Sequence, residues 1–302
     1  MKRTLLAACA ALLTLVAPAS HAALRAVACE PEWGALLREL GGDRVAVYVA
    51  TTALQDPHHI QARPSLIASV RRAGLVVCTG AELEVGWLPI LLRQAGNPAV
   101  QPGQPGYFEA ADAVRMLEVP TRLDRADGDV HPGGNPHIQT DPRNIAAVAG
   151  ALAARLARVD PANAAFYQAR AADFARRWQA AITRWEAAAA PLRGLAVVVH
   201  HKAFPYLEDW LGLVEVAQLE PKPGVEPSSG HLAEVLQGLK QHPAKLVLRT
   251  PYNDARASEW LAQRAGLVAV MLPNTVGGDD RASDLFGLFD DTIDRLLKAV
   301  AQ

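Results

Sequence analysis

From residue 24 onward the chain alternates short apolar, β-branched runs with stretches whose apolar residues recur every three or four positions. In the first half these are "LRAVAC", "EWGALLREL", "VAVYVA", "RPSLIASVRRA", "LVVCT" and "VGWLPILLRQAG". Strands separated by single helices predict a parallel sheet with helices on both faces. The same grammar restarts at "GLAVVVHH" and runs through "FPYLEDWL", "LVEVAQL", "SGHLAEVLQGLKQ", "KLVLRT", "ASEWLAQRAG" and "LVAVML". The pattern therefore predicts two α/β lobes of similar design, at 23–160 and 193–302.

Residues 161–192, "PANAAFYQARAADFARRWQAAITRWEAAAAPL", are Ala-rich, open on a proline, hold no internal Gly or Pro and stop at Pro191. They read as one long helix of about 45 Å joining the lobes. A rigid helix in place of a Gly/Ser linker argues against a large hinge motion. Phe166, Phe174, Trp178 and Trp185 fall near helical spacing and are expected to face the core.

The first residues change the setting. Lys2 and Arg3, the apolar run "TLLAACAALLTLVA" and the small-residue end at Ala22 read as a secretory signal peptide over 1–22. The run is shorter than the roughly twenty residues of a bilayer-spanning helix, so an exported, soluble periplasmic protein is expected. Leu6-Ala7-Ala8-Cys9 has the residue types of a lipid-attachment motif but leaves almost no apolar core ahead of Cys9. Cleavage removes two basic residues and no acidic one, so the formal charge of −1 becomes more negative by two, the wrong sign for a nucleic-acid binder. It also leaves Cys29 and Cys78, at the ends of the first and third strands. Those strands are neighbours in a doubly wound sheet of order 2-1-3-4, which predicts a Cys29–Cys78 disulfide in an oxidising compartment.

The candidate chemistry lies in the histidines, 9 in all. Ligands of open α/β sheets bind beyond the carboxyl ends of strands. His58 follows the strand "VAVYVATT" and His201 follows "GLAVVVH", so the two come from different lobes and face one cleft. His137, in "DVHPGGNPHIQ" ahead of the first helix leading out of the N-terminal lobe, reaches the same region. Three neutral imidazoles leave a divalent ion one open position, for which a carboxylate is a natural partner. Asp284 is the candidate, with an ordinary helix N-cap as its competing reading and Asp279 and Asp280 as rivals.

At this point the residues resemble a family. "DPHHIQARPS", "NPHIQTDPRN", "HHKAFPYLEDWLGL" and "SDLFGLFDDTI" are similar, in order, to the four ligand motifs of the zinc- and manganese-type solute-binding proteins of ABC importers. "VVCTGAELEVGWL" and "LEPKPGVEPSSGHLAEVL" add matches, so that the resemblance spans almost the whole mature chain. It implies two α/β lobes, a long connecting helix and a metal between the lobes, held by His58, His137, His201 and Asp284. Consecutive side chains at a strand end point oppositely, so only one of His200 and His201 faces the cleft; the resemblance selects His201 and, by the same matching, leaves His59 a bystander, while His231 and His242 match no ligand motif and are expected at the surface. Manganese-type relatives tend to carry a carboxylate at the third position, whereas imidazole suits Zn2+, which is therefore expected over Mn2+. The implied partner is a membrane permease, the expected state a monomer, and loading by a separate exported metallochaperone is left open. The long His- and acid-rich loop of many zinc-type relatives is absent. His131, in a short stretch with Asp127 and Asp129, is expected to help capture the metal.

A zinc-dependent hydrolase is the rival reading, since three histidines with an open position also describe a catalytic zinc. The chain has no His-Glu-x-x-His helix and no Gly-x-Ser-x-Gly elbow, and no catalytic residues are assigned. A nucleotide-binding α/β protein lacks its glycine-rich loop. Metal binding is expected to displace protons from the imidazoles, weakening affinity as pH falls through about 6.5. The loop around Asp284, with Gly277 and Gly278 just upstream, is the expected moving part.

Overall fold

The structure, a computed structural model, describes residues 22–122, 128 and 130–302; the expected signal peptide lies outside them but for Ala22, as do Asp127 and Asp129. The first half runs β1 (Leu24–Ala28), α1 (Pro31–Gly41), β2 (Val45–Val49), α2 (Pro64–Arg71), β3 (Leu75–Cys78), α3 (Leu88–Ala95) and β4 (Tyr107–Glu109). α4 (Pro142–Val159) and α5 (Ala164–Ala189) follow, packed on each other across a short turn. The second half runs β5 (Ala196–Val199), α6 (Pro205–Leu211), β6 (Val214–Gln218), α7 (Ser229–Gly238), β7 (Leu246–Arg249), α8 (Ala255–Ala265), β8 (Val268–Met271) and α9 (Leu285–Val300).

Both sheets are parallel, with orders β2-β1-β3-β4 and β6-β5-β7-β8. Helices cover both faces of each, so the central strands are apolar without alternation: β3, "LVVC", is buried at every position. The strand order brings the ends of β1 and β3 together, and the Cys29–Cys78 disulfide joins them. The fourth strand of the expected order had no assigned place in the sequence; β4 is only three residues long and sits in the turn-rich "GQPGYFEAAD", too short for a periodic signal.

The long helix is regular only over α5, with a tight 3-10 turn at each end, Pro161–Asn163 and Ala190–Leu192, where the prolines sit. Phe174, Trp178 and Trp185 are buried as expected, but Phe166 is not. Tyr167 takes that core position, its hydroxyl donating to Asp160 at 2.5 Å, while Phe166 lies half-buried under the guanidinium groups of Arg44 and Arg170. Tyr167 lies almost two full turns before Phe174 and so shares its stripe, whereas Phe166 is rotated about 100° away from Tyr167.

One hydrophobic core runs through both halves. It contains Trp33 and Leu37 of α1, Trp178 of α5, Phe204 beside α6 and Phe289 of α9. The Trp178 ring stacks on Phe174 at 5.1 Å and meets Phe286 and Phe289 edge-on at 4.8 and 5.6 Å. Two smaller clusters lie on the remaining face of each sheet.

Candidate metal centre

The loop from β2 to α2 carries His58. Asp56 Oδ1 accepts from the His58 amide at 3.0 Å, Trp87 Nε1 donates to Pro57 O at 2.8 Å, and Arg63 Nη2 donates to Ala50 O at 3.0 Å, so the loop is pinned on three sides. His137 precedes a buried 3-10 turn, Ile138–Thr140, that leads into α4. Asn135 Oδ1 accepts from the His137 amide at 3.0 Å. Asn135 is in turn stapled to the second half: its side-chain Nδ2 donates to Lys202 O at 2.9 Å and its backbone carbonyl accepts from Tyr206 Oη at 2.8 Å. His201 lies two residues past the end of β5.

These three histidines converge from the two halves of the chain. One ligand atom from each lies within 4.8 Å of the others, and their residues are only 8, 1 and 7 % exposed. The Nε2 atoms of His137 and His201 are 3.2 Å apart. His201 Nδ1 lies 2.8 Å from Glu220 Oε2, an acceptor only, so Nδ1 carries the proton and Nε2 presents its lone pair to the cluster. His58 Nε2 is buried with no hydrogen-bond partner. Two nitrogens about 2.05 Å from one tetrahedral zinc stand ~3.3 Å apart, so the spacing is that of ligands around an ion.

Burial, reinforced by the neighbouring His201, holds the His58 imidazole down at about 2, and the same causes put His137 well below the ordinary imidazole range. Both are neutral, and so competent as ligands, at any physiological pH. The expectation of proton displacement near 6.5 therefore does not hold for these two, because burial has already removed their protons.

Asp284 does not join the group. It is exposed at the N-cap of α9, where its Oδ1 accepts from the Gly287 amide at 2.7 Å; the helix-start reading is the one the structure bears out. Asp279 is occupied by Arg295 and the Arg281 amide, and Asp280 is exposed. The loop expected to move is tied down by these contacts and by Gly277 N donating to Ala282 O at 2.7 Å. His131 lies one ring further out, 5.1 Å from the His58 ring centroid. His59 and His242 are exposed and His200 is buried beside its neighbour. His231, expected at the surface, is half-buried with Nε2 3.1 Å from Gln218 O.

Glu220 is the functional residue that sequence reasoning missed. It lies just past the end of β6, where the carboxyl-end rule that found the histidines also applied, and its Oε2 accepts both from His201 and from the Gly224 amide at 2.9 Å. Beside the site, Gln139 Nε2 donates to Asn274 O at 3.1 Å and Thr275 Oγ1 donates to Glu32, joining the two halves. Burial pushes the Glu32 and Glu84 carboxyls up to about 7. Cys29, Cys78 and Glu84 also cluster, but the two sulfurs are bonded to each other. Outside the three histidines opens a cavity of about 240 Å3 lined by residues of both halves, including Glu118, His131, Asn135 and Lys202. The Lys202 ammonium pairs with Glu118 at 2.6 Å across it.

Residues 27–299 match the model of the family described as zinc-uptake complex component A, periplasmic. The chain belongs to this family. Among members of this zinc-uptake family, the high-affinity zinc uptake system protein ZnuA of Paracoccus denitrificans is 27 % identical over 259 residues, 75 % of this chain and 76 % of that one. A manganese ABC transporter substrate-binding lipoprotein, PsaA of Streptococcus pneumoniae, is 23 % identical over 145 residues, 47 % of this chain and 44 % of its own. A crystal structure of ZnuA superposes with a TM-score of 0.75 at 24 % identity, over 91 % of this chain and 99 % of that one, and a Mn-bound periplasmic metal-binding protein from Candidatus Liberibacter asiaticus does so with 0.75 at 16 %, over 92 % and 99 %. Family membership and fold thus agree with the resemblance carried by the four motifs.

Proposed function

We propose that the protein captures Zn2+ in the periplasm on His58, His137 and His201 and delivers it to the membrane permease of an ABC importer, acting as a binding component and not as an enzyme. The observation that carries this reading is the convergence of three buried imidazoles from two halves of the chain, with one of them backed by a carboxylate. In zinc sites a carboxylate behind a histidine ligand fixes its tautomer and raises its basicity, the arrangement Glu220 and His201 adopt. The family match and the zinc-uptake relatives support the cargo and the transport role. The all-imidazole inner set supports Zn2+ over Mn2+, which prefers oxygen ligands.

A competitive zinc titration of the metal-stripped protein, with Mn2+ in parallel and the thermal midpoint followed, tests the proposal. One tight Zn2+ per chain is expected, lost in His201→Ala, with a hundredfold excess over the dissociation constant stabilising the fold by about 2.7 kcal/mol. Equal preference for Mn2+, or zinc binding that survives His201→Ala unchanged, refutes it.

A further inference from the structure

We propose that His131 is the fourth ligand of this site, making it an all-imidazole centre; the inference rests on the three-histidine reading above. Three ligands leave a tetrahedral ion one position short. Among the described residues, the carboxylates that might fill it are engaged elsewhere: Asp284 caps α9, Asp279 pairs with Arg295, and Glu220 is shared by His201 and Gly224. Among the described residues, no carboxylate joins the group of three histidines.

His131 is a further imidazole beside this group. Its ring centroid stands 5.1 Å from that of His58, as near as the ligand rings are to one another at 5.3 to 5.8 Å, and it lines the same cavity as His137 and His201. It stands beside His58 and outside the inner group, so ligation requires its side chain to turn inward. The backbone gives it a short, fixed arm. His131 O accepts from the Gly134 amide at 3.0 Å, the Asn135 amide donates to Leu117 O at 2.9 Å, and Asn135 holds His137. Gly128 packs so tightly on Pro223 that a Cβ there would stand 2.4 Å from the Pro223 carbonyl oxygen. The loop carrying His131 therefore rests on the segment that Glu220 anchors to His201. Ligation by His131 ties these two segments together through the ion, and it removes the last position at which a hard cation would find an oxygen ligand, favouring Zn2+ over Mn2+.

The test puts a reporter at position 131. In His131→Cys loaded with Co2+, a thiolate-to-cobalt charge-transfer band is expected, because a thiolate at this position reaches the ion. X-ray absorption of the zinc-loaded wild type is expected to count four imidazoles, falling to three in His131→Ala, with affinity at least about tenfold weaker, since losing even an outer-shell partner costs 10–100-fold. Three imidazoles in both proteins, no thiolate band and an affinity within twofold overturn the fourth-ligand assignment while leaving the three-histidine site intact. Failure of the wild type to bind zinc tightly overturns the functional reading itself.

Discussion

Glu220 is where the site and the fold are coupled most directly, and its removal has separable consequences. One buried oxygen, Oε2, accepts from His201 Nδ1 at 2.8 Å and from the Gly224 amide at 2.9 Å. Glu220→Gln keeps an acceptor for both donors and loses only the charge; Glu220→Ala strands both donors. An unsatisfied buried donor costs about 1–3 kcal/mol, so the alanine variant is expected to lose about 2–4 kcal/mol after partial rehydration by the open cavity. At about 2–4 °C per kcal/mol for a chain of this size, that lowers the metal-free midpoint by roughly 4–16 °C. The glutamine variant should melt within about 2 °C of wild type. Zinc affinity should fall about tenfold in the glutamine variant, through lost imidazole basicity, and up to about a hundredfold in the alanine variant, where the ring is also free to turn. Chelator competition and a melting scan of metal-stripped protein read the two effects independently. Unchanged affinity in both variants would refute the claim that Glu220 tunes His201, whatever the melting data show.

Further outcomes follow from the same contacts. Folded His58 stays neutral down to about pH 2, so below about 6.5 the unfolded chain takes up a proton the folded one refuses; His58→Gln should therefore gain on wild type as pH falls, by about 1.4 kcal/mol at pH 5.5 in metal-free urea unfolding. Glu32 acts with opposite sign: its carboxyl at about 7 binds a proton in the folded state first, adding stability as pH drops from about 7 to 4.5, and Glu32→Gln should abolish that gain. Zinc affinity should fall far less between pH 7 and 5.5 than three ordinary imidazoles imply, because each would cost about tenfold and two are already deprotonated; a thousandfold fall would contradict the buried, neutral site. Replacing Cys29 and Cys78 by Ala removes a crosslink spanning 49 residues, worth about 4 kcal/mol in the chain-entropy account, and a loss under 1 kcal/mol in urea would contradict it.

Much of this was legible because strand ends and histidines are both discrete signals. The central strands are unbroken apolar runs, and the carboxyl-end rule by itself places His58 and His201 on one cleft. The misreadings have physical causes. Asp284 has the right residue type in the right order, but an Asp ahead of an apolar helix has a local use, the N-cap, that competes with any distant ligand. Glu220 could be quoted as part of a motif without a role, since its partner is 19 residues away and only the β5–β6 pairing joins them. Phe166 and Tyr167 differ by one step of helical phase, about 100°, and a reading by residue type favoured the phenylalanine over the tyrosine that keeps phase with Phe174. The lowered proton affinity of His58 and His137 comes from burial, which no spacing rule measures.

The core that runs from Trp33 through Trp178 to Phe289 also bears on how long the protein lasts. Each sheet keeps a smaller apolar cluster on its other face, but the main core is shared, so opening one half strips the larger part of the other's interior and the two halves are expected to unfold together. Cargo held at the junction then guards every peptide bond at once. With zinc at a hundredfold excess over its dissociation constant, the opened population falls about a hundredfold. A protease that cuts only opened chains, and cuts them more slowly than they close, consumes empty molecules about a hundred times faster than loaded ones. Turnover of this protein is thus expected to follow the metal supply, with the empty form the short-lived one.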